Sequence, residues 1–257
     1  MSFPKRAFVR GLFGQAGSES GTHAARQRAS VERDLVNVRR REVPFNLQYV
    51  TYVFGSENEA MLRDLGCLDV RLLDTRPYVF AKEYLFRNKM ELIKAALLDF
   101  DEIIWLDWDC NVARALPHNL WERMYSKEPI QACLHQYRRK LCFWRRDAKR
   151  KVANSGFLYI RDKSLMPEVL NAWETTGRSS NDEIAITYVI DRIMGGWKGV
   201  ANYWERFEPV FCQTKSGGPY PDDWIKQKEI YFHHHFGPKR RRNANLNLQP
   251  MPGTCRL

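Results

Sequence analysis

From residue 46 to residue 112 the chain alternates between two hydrophobic rhythms. "NLQYVTYVFG" is dense in β-branched and aromatic residues and stops at Gly55, which predicts a strand. "SENEAMLRDLG" follows with helical character, with Ser56 as its expected N-cap and Gly66 as its stop. "DVRLLD" predicts a second, short strand. "KEYLFRNKMELIKAALLDF" then spaces Leu85, Met90, Ile93, Leu97 and Leu98 at near-helical intervals before the apolar strand "EIIWLD". Strands alternating with helices predict an α/β fold with a mainly parallel, Rossmann-like central sheet.

The pattern continues downstream. "VANSGFLYIR" predicts a strand entered through the small residues Asn154, Ser155 and Gly156, where backbone can approach a ligand closely. "SSNDEIAITYVIDRI" predicts a helix capped by Ser180 or Asn181. Its first turn carries Asp182 and Glu183, where the helix dipole favours carboxylates. "IYFHHHFG" predicts a strand ending in His233, His234 and His235; on a strand His234 faces away from its two neighbours.

Composition narrows the class. The chain has 257 residues, 44% of them hydrophobic, with eight Trp, eleven Tyr and fourteen Phe, enough for a sizeable core and too many for general disorder. No run approaches the roughly 18 apolar residues of a membrane span, and the first residues lack the apolar core of a secretory signal. The six cysteines are scattered without a C-x-x-C pair, as expected of reduced thiols. A cytoplasmic location, with peripheral contact to an anionic membrane surface, is the resulting expectation.

The formal charge of +11 brings in polyanionic partners. Residues 1–44, rich in Arg and broken by Gly, Ser and Ala, read as a basic, flexible arm before a folded domain at 45–242 and a tail at 243–257. The acid-free start also fits a mitochondrial presequence. "RRKLCFWRRDAKRK", residues 138–151, interleaves aromatic and basic residues, and "KRRR" follows at Lys239 to Arg242. Each run reads equally as a solvated loop or as an anion-binding surface.

The apolar run "EIIWLD" passes directly into "WDCNV", so Asp107 and Asp109 fall at the carboxyl end of a strand, the edge where open parallel sheets bind ligands. Two carboxylates two residues apart can converge on one hard cation such as Mg²⁺ or Mn²⁺. The plainer alternative is that one caps the next turn while the other is solvated.

Taken in order, the helix carrying Lys89, "WLDWDCNV", "NSGFLYI", "NDE" and "HHHFG" with its basic followers resemble a glycosyltransferase of the GT-A fold. The retaining family 8 sugar-nucleotide transferases are the nearest comparison, over roughly residues 46 to 242. The resemblance implies that Asp107 and Asp109, flanking Trp108, grip a donor diphosphate through Mn²⁺ or Mg²⁺. It matches the family's late H-x-x-G-x-x-K motif to His234, Gly237 and Arg240, with Lys239 beside a final position that is Arg here and with His235 as a substitute ligand. Phe54, Gly55 and Ser56 resemble the segment that cradles the nucleoside. Lys89 resembles a basic residue near the phosphate or donor sugar, and Asn154 resembles one that contacts the sugar. Asp182 and Glu183 fall where such enzymes keep an acidic residue near the reacting centre, as general base or as a charge-stabilising group. The implied partners are a nucleotide sugar, with UDP as the expected nucleotide, and a glycan, lipid-linked or protein acceptor.

Two other classes compete. A haloacid-dehalogenase-like phosphatase also follows an apolar strand with D-x-D, but places that strand first and leaves "NSG" and "HHHFG" unexplained. A non-enzymatic nucleic-acid or polyanion binder needs the basic runs and none of the acidic constellation, which makes nucleic acid the less expected partner.

Overall fold

The computed structural model describes residues 3–12, 48–73, 85–108, 110–112, 115–125, 128–139, 148–175, 182–193, 212–215 and 231–235. In chain order these form β1 (Arg6–Leu12), β2 (Tyr49–Phe54), α1 (Ser56–Asp64), β3 (Asp69–Leu73), α2 (Leu85–Asp99), β4 (Glu102–Leu106), β5 (Cys110–Val112), α3 (Leu120–Tyr125), β6 (Ile130–Arg139), β7 (Ala148–Ile160), α4 (Leu165–Thr175), α5 (Asp182–Ile193), β8 (Cys212–Lys215) and β9 (Phe232–His235).

The main sheet runs β3-β2-β1-β4-β7-β6, and a smaller one runs β5-β9-β8. β1, β2, β3 and β4 are mutually parallel, while β7 is antiparallel to both β4 and β6. The chain winds outward from β1 through β2 to β3, then returns to place β4 on the other side of β1. The crevice between the carboxyl ends of β1 and β4 is therefore the topological switch point, where ligands of open α/β sheets bind.

Burial on both faces explains why β4 reads as an unbroken apolar run. Ile103 and Trp105 pack with Met90, Leu92, Ile93, Ala185 and Val189 of α2 and α5. Ile104 and Leu106 face the opposite side with Phe157, Tyr159 and Phe232. Each such aliphatic side chain contributes roughly 1.5–3 kcal/mol.

Three expectations change. The segment read as an arm supplies β1, the strand between β2 and β4, so residues 6–12 belong to the sheet. Ala7 and Val9 lie in the core, and basic residues on either side hid this short apolar alternation. The N-cap of α1 is Gly55, with φ 81° and no side-chain cap bond, and Ser56 is the first helical residue. Leu98, expected on the apolar face of α2, is 73% exposed. The stop at Gly66 is as expected: with φ 82°, its N–H donates to the Arg63 carbonyl and the Cys67 N–H to that of Leu62, closing a Schellman motif.

Gly11, on β1, sits beneath Trp105. A Cβ there would overlap Trp105 Cη2 and lie 2.7 Å from Leu92 Cδ1. Gly11→Ala is therefore expected to destabilise the fold by about 1–3 kcal/mol through overpacking, read as a lower urea midpoint. An unchanged midpoint would show that the indole moves aside freely.

Candidate active site

Asp107 is the first residue beyond β4, and its N–H still donates to the Gly156 carbonyl of β7 at 2.9 Å. Strand alternation puts Asp107 on the same face as Trp105, toward α2. Trp105 Nε1 donates to Asp107 Oδ1 at 2.8 Å.

From α2, the Lys89 ammonium meets the same carboxylate, 2.9 Å from Oδ2 and 2.8 Å from Oδ1. It also donates to the Ser155 carbonyl at 2.8 Å and reaches Ser155 Oγ at 3.1 Å. Asp182 Oδ2, on the first turn of α5, lies 3.4 Å from the same nitrogen without a hydrogen bond. Lys89 and Asp182 are each 1% exposed. Desolvating such an ion costs several kcal/mol, and here carboxylate, carbonyl and hydroxyl partners offset it.

A β-bulge supplies two of those partners. The β6–β7 register steps from Ala132↔Leu158 to Cys133↔Asn154, leaving Ser155, Gly156 and Phe157 without β6 partners. Asn154, Ser155 and Gly156 thus lie inside a strand, not at its entry as expected. Across the bulge the Gly156 N–H donates to Asn154 Oδ1 at 3.1 Å, and Asn154 Nδ2 donates to Glu183 Oε1 at 2.7 Å. Thr187 Oγ1 accepts the Ala153 N–H at 2.8 Å and donates to the Glu183 carbonyl at 2.6 Å. These bonds seat the acidic first turn of α5 against the bulge.

Burial pushes the Asp182 carboxyl up from its ordinary value. The Asp107 and Glu183 charges add to the rise, while Lys89 and Ser155 oppose it.

Beyond Asp107 the chain leads into β5, and the Cys110 N–H donates to the Asp107 carbonyl at 2.8 Å. Trp108 Nε1 donates to the Gly11 carbonyl of β1 at 2.9 Å. The β5–β9 ladder pairs Cys110 with His234, so the backbone of the histidine run arrives beside the D-x-D turn.

Lys89, Asp107, Asn154, Asp182 and Glu183, chosen from widely separated segments, thus form one connected cluster. Trp108 adjoins it. Phe54 is buried in the core at the end of β2, with its carbonyl held by Asn58 Nδ2 at 2.8 Å, and Gly55 and Ser56 are exposed. That end is separated from β4 by β1, and no described contact joins it to Asp107. Asp109, Gly237, Lys239 and Arg240 lie outside the described residues; His234 and His235 are described in their backbone ladder.

Trp105, Thr187 and Arg10 were missed. Trp105 was signalled by its two-residue spacing from Asp107, and Thr187 by its four-residue spacing from Glu183. Arg10 was hidden in the presumed arm.

Among the described residues no three His, Cys, Asp or Glu gather at one point. Asp107 is nonetheless a hard oxygen donor with its side chain 23% exposed. Its contacts to Trp105 and Lys89 leave acceptor capacity on a carboxylate that offers about four lone-pair sites. That remaining oxygen capacity is of the hard kind that Mn²⁺ or Mg²⁺ takes.

Among solved structures, mouse xyloside xylosyltransferase 1 in its apo form aligns with a TM-score of 0.51 and 15% identity, over 92% of this chain and 99% of that one. The galactosyltransferase LgtC, in complex with donor and acceptor sugar analogues, aligns at 0.44 and 13%, over 90% and 87%. A glycosyltransferase involved in glycosylation of the major capsid of PBCV-1 aligns at 0.43 and 11%, over 94% and 98%. No protein-family model matches the sequence, and no curated protein matches it. The mouse protein shares the architecture: the chain has a GT-A type α/β fold.

The raised Asp182 carboxyl sets a pH dependence with a definite sign. Because the folded state favours the protonated acid, its stabilising effect is complete below the ordinary value of 3.8 and is lost as pH rises through the higher folded value. Asp182→Asn removes that loss. The Tm of the variant minus that of the wild type should increase as pH rises from about 4 toward neutrality; a flat difference would place Asp182 in a wetter environment.

Proposed function

We propose that this chain is a metal-dependent glycosyltransferase that moves a sugar from a nucleotide-diphosphate donor, a UDP-sugar in the first instance, to a glycan, lipid-linked or protein acceptor. The observation that carries this reading is the buried Lys89 ammonium at the switch point, which draws Asp107, Ser155 and Asp182 together on a fold shared with a xylosyltransferase.

Asp107, Asp109 and His234, with His235 as the alternative ligand, would hold Mn²⁺ or Mg²⁺. That cation would supply Lewis-acid neutralisation of the departing diphosphate. Lys239 and Arg240 would add positive charge on the phosphate side. Trp105 and Lys89 keep the Asp107 carboxylate in one orientation, so little reorganisation is needed when the donor arrives. Asp182 and Glu183 are assigned to the reacting centre. Asn154 fixes Glu183, and burial favours a proton on Asp182, whose Oδ2 has no hydrogen-bond partner among the described residues.

The acceptor is assigned to the hairpin that β6 and β7 extend past the end of β4. β4 pairs with β7 only over residues 157–160, whereas the β6–β7 ladder continues to Arg139↔Ala148. Beyond the bulge the ladder includes Arg138, Arg139, Lys149, Arg150 and Lys151, and it pairs Arg138 directly with Lys149. An acceptor bearing phosphate or carboxylate groups would complement that run of basic residues.

Among the described residues no helix is long and apolar enough to cross a membrane. A cytoplasmic enzyme meeting an anionic membrane surface peripherally is the setting we assign.

UDP should raise the Tm in the presence of Mn²⁺ and not in excess chelator, and Asp107→Asn should abolish that shift and donor hydrolysis with it. Equal shifts with and without metal would overturn the metal-dependent reading. Replacing Arg138, Lys149 and Arg150 together by Ala should raise the acceptor KM and flatten its salt dependence while donor hydrolysis is unchanged. An unaltered acceptor KM at low salt would remove the hairpin from acceptor binding.

A further inference from the structure

Arg10 is a buried cation in the middle of the sheet, 1% exposed, on a strand where an apolar residue would be expected. Its guanidinium carbon lies 4.0 Å from the centroid of the Tyr49 ring and 5.4 Å from that of Trp108. Its Nη2 donates to the Cys110 carbonyl at 3.2 Å. The next residue of β1, Gly11, accepts the Trp108 Nε1 hydrogen bond at 2.9 Å.

Two consecutive residues of β1 therefore hold both arms of the Asp107–Cys110 turn, through the indole that follows Asp107 and through the carbonyl of Cys110. Strand alternation puts Arg10 on the face opposite Gly11, which meets Trp105 and Leu92. Lys89 reaches the turn from that Leu92 face. The turn is thus gripped by one buried cation from each side of the sheet: Lys89 on the Asp107 side chain, Arg10 on the backbone.

We infer that Arg10 is a positioning residue of the nucleotide-diphosphate site: it holds Cys110, and with it the hydrogen-bonded Asp107, against β1, and thereby sets the geometry in which the Asp107 carboxylate meets a divalent cation and a diphosphate. This rests on the functional reading above. Guanidinium chemistry suits the task, because one cationic group can lie near two aromatic rings while donating to a carbonyl. An ammonium at the same position keeps the charge and loses that combination.

The experiment compares wild type with Arg10→Lys, Arg10→Met and Trp108→Phe. Mn²⁺ affinity is followed by the spin-resonance signal of the free ion, Mn²⁺–UDP affinity by calorimetry, and turn mobility by hydrogen exchange of the peptide spanning 106–113. Arg10→Lys should remain folded, weaken Mn²⁺–UDP binding about tenfold or more, as loss of an outer-shell partner does, and speed exchange in 106–113 without speeding it in α4. Trp108→Phe should do the same in part, and Arg10→Met should do so more severely. Should Arg10→Met not fold, the comparison of Arg10→Lys with Trp108→Phe decides the matter alone. Wild-type Mn²⁺–UDP affinity and 106–113 exchange in a folded Arg10→Lys would overturn the inference. Failure of the wild type itself to bind Mn²⁺–UDP would instead overturn the functional reading; exchange in 106–113 would then still decide whether Arg10 holds the turn.

Discussion

The interaction on which the site depends is the enclosure of the Lys89 ammonium. One nitrogen brings together the end of β4, the bulge of β7 and the first turn of α5, three segments separated by tens of residues in the chain. A buried charge is tolerated only where its donors are satisfied, so each partner's position is constrained by the others. Ser155 can present its carbonyl because the bulge removes it from the β6 ladder. Asp107 can accept because Trp105 fixes its other contact. Asp182 lies near enough to share the charge because Thr187 and Asn154 dock α5.

This arrangement makes the carboxyl end of the sheet a preorganised polar layer over an apolar one. Immediately beneath the cluster, Trp105, Leu92 and Ile93 are fully buried. Such a floor keeps water from competing for the Lys89 and Asp107 contacts, and it raises the energetic consequence of every charge above it. Gly11 is the steric condition for the layer: the absence of a side chain there lets the Trp105 indole lie against β1 and aim Nε1 at Asp107.

The opposite face adds a second constraint. Arg10 and Trp108 tie the turn after β4 to β1, the strand whose position next to β4 creates the switch point. Topology and local chemistry therefore converge on a few residues, and the strand that supplies them lies outside the region in which the motifs were found.

Much was legible in the sequence alone. The alternation of β-branched runs with amphipathic segments gave the α/β class, and the apolar run ending at Asp107 marked a strand with chemistry at its carboxyl end, because period and composition follow directly from local geometry. Asp107, Asn154, Asp182 and Glu183 were visible as chemistry near the ends of elements, whereas Lys89 was marked only by the family resemblance. What their types and spacings did not carry was which of them touch. Lys89 pointing inward, Asn154 spanning a bulge instead of opening a strand, and the basic Arg6–Leu12 segment serving as an interior strand all depend on contacts between residues distant in the chain. Arg10 shows the physical reason most plainly: charge density by itself reads as solvated, and only the tertiary fold, by placing two aromatic rings and a carbonyl around the guanidinium, makes burial of that charge favourable.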